Sequence, residues 1–162
     1  YRTDFPKVLD TLASHDRSIP DFIEYFHNAE KVSGDDFHTL MAIAMAATYD
    51  PNEENPTEIR LPVDLYTGEL DEEHWSHWLA HDPINFVGEL GDNLRDLDLV
   101  YIDCGNKDQY HMVYGSRILH RKLEDMEITH MYEEFDDNHS SIDYRLDRSI
   151  PLLVDALTPF EQ

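Results

Sequence analysis

The sequence of 162 residues is poor in cysteine, in glycine and in basic side chains. Cys104 is the only cysteine, which excludes an internal disulfide and a metal cage built from several thiolates. No stretch approaches the roughly 18 consecutive apolar residues that a membrane-spanning helix requires. We therefore expect neither a membrane partner nor a cysteine-based metal centre.

Basic side chains number only 12 against 35 acidic ones, and the formal net charge is −23 at pH 7. A surface this negative repels phosphates, so nucleic acid and anionic membrane surfaces are not expected as partners. Counterions in a salt-rich environment would screen the self-repulsion of the chain. The charge fits both an ordinary cytoplasmic protein, which is the location we predict, and a protein from a high-salt environment.

Residues 97–148 carry the most informative pattern in the chain. The run LDLVYIDC (97–104) ends at a Gly-Asn turn and is short enough to be a buried strand. Apolar residues then recur at the spacing of an amphipathic helix: Met112, Leu119, Leu123 and Met126. The segment ITHMYEEF (128–135) alternates β-formers with polar residues. A strand, a helix and a strand within about 40 residues have the size of a βαβ unit, whose two strands are parallel.

A turn with a titratable side chain follows each predicted strand, Asp108 after the first and His139 after the second. In open parallel sheets, functional groups collect at the carboxyl ends of the strands. An acid and a histidine placed there are two members of a nucleophilic triad. Asp103, two residues before Gly105, is an alternative acid, but it would still lie within the strand or at its edge.

The residues Gly105-Asn-Lys-Asp108 and Asp137-Asn138-His139-Ser140, with a helix and a strand between them, resemble the C-terminal part of an α/β-hydrolase. The similarity is to the putative-esterase family, which includes esterase D, enterochelin esterases and feruloyl esterases, and it covers about residues 97–157. It implies an α/β fold class, with a parallel βαβ unit and a closing helix from the hydrolase core. It also implies that Asp108 is the orienting acid of a Ser-Asp-His triad and His139 its general base.

The nucleophile of that family, a serine in Gly-x-Ser-x-Gly, is missing. None of the eight serines has glycine two positions away on both sides, and there is no His-Gly-Gly-type oxyanion loop. We therefore predict a fragment that supplies the acid and base of a serine esterase and is inactive alone. Its expected partners are a small-molecule ester and either the missing N-terminal half of the hydrolase or another copy of the chain, with no cofactor. The alternative is a non-catalytic acidic binding domain on the same scaffold.

The rest of the chain reads mainly as helices, and we divide it into a lid-like helical insertion (residues 1–90) and the hydrolase part (residues 91–162). The closing element of the second part, residues 140–157, is expected to be interrupted at Pro151. Trp75, Trp78 and Phe86 could line an acyl-binding pocket. The alternative for these aromatic residues is simple packing of a small helix onto the core.

His74 and His77 share one face of a predicted helix, which raises the question of a zinc site. The His-Glu-x-x-His pattern is absent, and surface or lid histidines are the interpretation we prefer to a zinc site. A cluster of acidic and amide residues could suggest calcium, but it lacks the glycine and the spacing of an EF-hand loop: Asp136, Asp137, Asn138 and Asp143. We predict no metal site.

Overall fold

A computed structural model describes residues 4–55 and 57–157. The chain divides into two compact units, Tyr1–His81 and Asp82–Gln162. This boundary, after His81, comes earlier in the chain than the boundary after residue 90 that the sequence suggests, so the helix that begins at Pro83 belongs to the second unit. No helix in the two described ranges is both long enough and apolar enough to cross a membrane.

The first unit is helical. Its helices are α1 (Phe5–Ala13), α2 (Ile19–Asn28), α3 (Gly34–Tyr49) and α4 (Glu72–Ala80). Leu12, Phe22 and Ile43, one from each of the first three helices, are almost completely buried and form the centre of the core. Between α3 and α4 the chain makes an isolated antiparallel bridge from Val63 to Leu70.

The second unit contains the βαβ arrangement that the sequence predicts. Its elements are α5 (Pro83–Leu90), a 3₁₀ turn (Gly91–Leu94), β1 (Tyr101–Gly105), α6 (Met112–Asp125), β2 (Met131–Phe135), a 3₁₀ turn (Asp143–Arg145) and α7 (Leu146–Leu157). The two strands are parallel, with Tyr101 opposite Met131 and Gly105 opposite Phe135. The parallel strand pair is therefore confirmed, and the second unit has a mixed helix and strand architecture.

Helix α7 corrects one expectation, because it runs without interruption from Leu146 to Leu157 with Pro151 inside it. A proline removes one backbone donor and crowds the preceding turn, which is a local cost that the rest of a helix can outweigh. The apolar side of α7 is largely uncovered: Leu146 is 52% exposed and Ile150 50% exposed. The closing helix thus carries a strongly amphipathic pattern without any fully buried residue among those described.

Candidate functional site

The turns that follow β1 and β2 pack directly against each other. The amide of Asn106 donates to the carbonyl of Phe135 (2.8 Å), and the amide of Lys107 donates to the carbonyl of Asp137 (3.0 Å). Glycine at position 105 permits this approach, because an added Cβ would lie 2.3 Å from the Asp137 carbonyl oxygen. Side chains from the two turns are thereby brought within contact distance.

Asp108 and His139 meet at this place. The Nδ1 atom of His139 lies 2.7 Å from Oδ2 of Asp108, whose side chain is only 2% exposed. The other carboxylate oxygen, Oδ1, accepts hydrogen bonds from the amides of Tyr110 (2.8 Å) and Met112 (3.2 Å) at the start of α6. Both oxygens of the carboxylate are therefore fixed in position.

The charge state of Asp108 assigns the tautomer of His139. Burial by itself would raise the pKa of Asp108, but hydrogen bonds from His139 and from the amides of Met112 and Tyr110 outweigh it and lower the pKa. An ionised carboxylate can only accept hydrogen bonds, so Nδ1 of His139 must carry the proton. In the neutral imidazole, Nε2 then holds the lone pair, as a general base requires.

The imidazole of His139 is held on one side and open on the other. The backbone amide of His139 donates to Oε1 of Gln109 (3.0 Å). The ring of Tyr110 stands edge-on to the imidazole, with the ring centroids 5.1 Å apart. The His139 side chain is 52% exposed, and no group within the described ranges hydrogen-bonds to its Nε2. A hydroxyl group brought to Nε2 could therefore lose its proton to this histidine.

Asp103, the alternative acid, has other partners. Its Oδ2 accepts from Nε of Arg145 (2.9 Å) and from the hydroxyl of Tyr101 (3.2 Å). Arg145 also reaches Oε2 of Glu133 (2.8 Å), so Asp103 belongs to an ion-pair network that joins β1, β2 and the last 3₁₀ turn. The structure places Asp108, and not Asp103, against the imidazole.

We predict a pH-dependent stability from Glu133 in this network. Hydrogen bonds from Arg148, and secondarily from Arg145, hold the pKa of Glu133 at about 2, below its usual 4.5. A lowered pKa in the folded state gives stability that is complete above about pH 4.5 and is lost as the pH falls towards 2. Glu133→Gln should therefore destabilise the second unit at pH 7 and have almost no effect near pH 2, as measured by amide hydrogen exchange of the strands. The exposed Glu89→Gln on α5 is the control, and an equal effect of both substitutions would contradict this prediction.

The aromatic residues considered for substrate binding do not share one unit. Trp75 and Trp78 belong to the first unit, where their rings pack edge-on against Phe5 with centroids 6.0 and 5.8 Å apart. Trp78 is 5% exposed and is part of the core. Phe86 lies half-buried on α5 in the second unit. The packing alternative accounts for both tryptophans, and the substrate-binding role of the three residues stays a prediction.

The candidate metal ligands also have defined partners. Asp136 forms an ion pair with Nζ of Lys107 (2.7 Å), and Asp137 accepts from the hydroxyl of Tyr144 (3.1 Å), so these acids have ordinary structural roles. In the first unit, His74 and His77 both contact Asp50, a residue that the sequence did not single out. Asp50 lies 24 residues before His74 in the chain, and no local pattern connects the two.

A scan against protein-family models found no match to this chain, and a search of curated proteins found no significant match.

Proposed function

We propose that this chain supplies the acid and the histidine of a serine carboxylesterase, with Asp108 as the orienting acid and His139 as the general base. The observation that carries the proposal is the bond of 2.7 Å between the buried Asp108 carboxylate and Nδ1 of a histidine whose other nitrogen is open. Both residues follow parallel strands at their carboxyl ends, where α/β enzymes assemble their catalytic groups. The resemblance to the putative-esterase family agrees with these roles.

The chemistry follows from the assigned tautomer. A serine hydroxyl at Nε2 of His139 would transfer its proton to the imidazole while its oxygen attacks the ester carbonyl. The negative charge of Asp108 stabilises the imidazolium that forms. The imidazolium then protonates the departing alkoxide, and the C–O bond to the alcohol breaks to leave an acyl-serine. Water, deprotonated by the same histidine, hydrolyses the acyl group and restores the serine.

In this proposal the nucleophile comes from outside the chain, because none of its serines has the Gly-x-Ser-x-Gly context. The sheet of the second unit supports this part of the proposal. Within the described ranges it has only two strands, and such a small open sheet is not stable without further strands or packing. The exposed apolar side of α7 is a further surface that additional polypeptide would cover. The missing N-terminal half of the hydrolase, or another copy of the chain, would supply the serine and the oxyanion-hole donors.

The experiment compares this chain alone with a longer protein that contains it. The chain alone should hydrolyse a short-chain nitrophenyl ester no faster than free imidazole does, because the nucleophile is lacking. The longer protein should react with a fluorophosphonate at one serine and hydrolyse the ester, and fluorophosphonate treatment should abolish that turnover. A longer protein that neither reacts nor hydrolyses would favour the alternative, an acidic binding domain on an α/β scaffold. Rapid turnover by the isolated chain would place the nucleophile inside it and contradict the proposal.

A further inference from the structure

Asp50, His74 and His77 form a compact group inside the first unit. Asp50 is the residue directly after α3, and the two histidines lie one turn apart on α4. Nδ1 of His74 lies 2.5 Å from one carboxylate oxygen of Asp50, and Nδ1 of His77 lies 2.5 Å from the other. One ligand atom from each residue lies within 4.8 Å of the others, and no other such group of three occurs in the described ranges.

We propose that these three residues, Asp50, His74 and His77, form a binding site for a divalent transition-metal ion, with Zn²⁺ as the ion that tests it. Zinc binds imidazole nitrogen and carboxylate oxygen at about 2.0–2.2 Å, so neighbouring ligand atoms in a tetrahedral site lie about 3.3 Å apart. To admit the ion, the two nitrogen–oxygen distances of 2.5 Å would have to lengthen by about 0.8 Å. The two nitrogens, which lie within 4.8 Å of each other, would have to stand about 3.3 Å apart and share one carboxylate oxygen, and side-chain rotations provide such shifts.

The ligand types select zinc over the commoner hard cations. Calcium takes six to eight oxygen ligands, and magnesium prefers carboxylates together with water, whereas two imidazoles and one carboxylate suit zinc. Three protein ligands leave the fourth tetrahedral position for water or for another small ligand. The side chain of His77 is 50% exposed, which gives the ion a path from solvent.

A second carboxylate lies near the other nitrogen of His74. Oδ2 of Asp71 is 3.8 Å from Nε2 of His74, which is an ion-pair distance and longer than a direct hydrogen bond. Metal-binding histidines commonly direct their second nitrogen to a carboxylate, which orients the ring and raises its basicity. Oδ1 of Asp71 accepts from the amides of Glu73 and His74, so this residue also fixes the start of α4. The helix that carries both histidines is thus held at its first turn.

The competing account is that the two histidines only satisfy the hydrogen bonds of a buried aspartate. Asp50 is 8% exposed, and a buried carboxylate requires partners whether or not a metal binds. The two accounts differ in what happens when zinc is added. A hydrogen-bonded triad without metal function would bind zinc no better than the other acidic groups of the chain do.

The test is a zinc titration of the full chain by isothermal titration calorimetry, after removal of metal and in a large excess of Mg²⁺ to occupy nonspecific carboxylates. We expect one zinc ion per chain. His77→Gln and Asp50→Asn should each weaken binding at least 100-fold, because each removes one of three ligands. Asp71→Asn keeps an N-cap oxygen and removes only a charge 3.8 Å from Nε2 of His74, so it should weaken binding by less than about 10-fold. The control is His27→Gln, a change at an exposed histidine on α2, which should leave the affinity unchanged.

A spectroscopic measurement on the unmodified protein makes the test independent of variant folding. In the nitrogen-15 NMR spectrum of labelled histidine side chains, Nδ1 of His74 and of His77 should shift on zinc addition to the value of a metal-bound nitrogen. Cobalt(II) at the same site should give the intense visible bands of four-coordinate geometry. The proposal is overturned if zinc leaves both Nδ1 resonances in place, or if His77→Gln folds and binds zinc as tightly as the original chain.

Discussion

Replacement of His139 by alanine, in the longer protein that the proposed esterase function requires, is expected to lower the turnover of a nitrophenyl ester by about 10⁴- to 10⁶-fold. A serine hydroxyl is a poor nucleophile unless a base within hydrogen-bond reach takes its proton. The His139 side chain is half exposed and contributes little packing, so the folded structure should survive the change. Circular dichroism measures the fold, and His27→Ala on the surface of α2 is the matched control.

The two aspartates provide the accompanying comparison. Asp108→Asn should also reduce turnover by about 10⁴-fold, because an amide no longer enforces the Nδ1–H tautomer or stabilises the imidazolium. Asp103→Asn should leave turnover nearly intact and reduce stability, because its carboxylate pairs with Arg145. Full activity of His139→Ala would exclude the triad. If Asp103→Asn lost activity while Asp108→Asn retained it, the acid of the triad would be Asp103 and not Asp108.

The contact between Asp108 and His139 is accessible to sequence reasoning because topology alone produces it. A buried apolar run, a helical period and a second strand predict parallel strands, and parallel strands end at the same edge. The residues after Gly105 and after Phe135 are then neighbours, although 31 positions separate Asp108 from His139. Alternation along β1 also explains Asp103, whose side chain lies on the sheet face that contacts Arg145.

The group around Asp50 illustrates what the sequence could not predict. His74 and His77 share a helix face by their spacing, but the position of Asp50 depends on how residues 50–71 return the chain to α4. The described residues of this segment, 51–55 and 57–70, form turns and one isolated bridge and no helix or strand, so no sequence period predicts where they lead the chain. The signal that could have found the group is the combination of a helix-terminal acid with two histidines one turn apart.

Helix α7 differs from the prediction for a related reason. Sequence reasoning treats Pro151 as a helix break, whereas the structure keeps the helix intact through it. Apolar residues at helical spacing on both sides of the proline, Ile150 and Leu153 among them, favour one continuous amphipathic face. The helical spacing of the apolar residues therefore outweighs the helix-breaking tendency of the proline, as the structural context often outweighs intrinsic propensities.

Gly105→Ala is expected to have the largest effect on stability of any single methyl addition in the second unit. The new Cβ would lie 2.3 Å from the Asp137 carbonyl oxygen and 2.8 Å from that of Asn138, and both are backbone atoms that cannot rotate away. The turns must separate, which breaks the bonds from Asn106 and Lys107. We expect a loss of about 3 kcal/mol or more in the free energy of opening the strand pair, at the upper end for overpacking.

Amide hydrogen exchange of β1 and β2 is the appropriate measurement, because both tryptophans lie in the first unit and their fluorescence would not report this change. Gly115→Ala in α6 is the matched control, since its added Cβ would meet Cδ1 of Ile84 at an ordinary 3.5 Å. Alanine is favoured over glycine inside a helix by about 0.5–1 kcal/mol, so this control should be neutral or stabilising. The same exchange data should show that Gly105→Ala also exposes the amides of Tyr110 and Met112, which Asp108 binds. Unchanged protection in Gly105→Ala would mean that the turns do not approach as closely as the site requires, and the pairing of Asp108 with His139 would lose its structural basis.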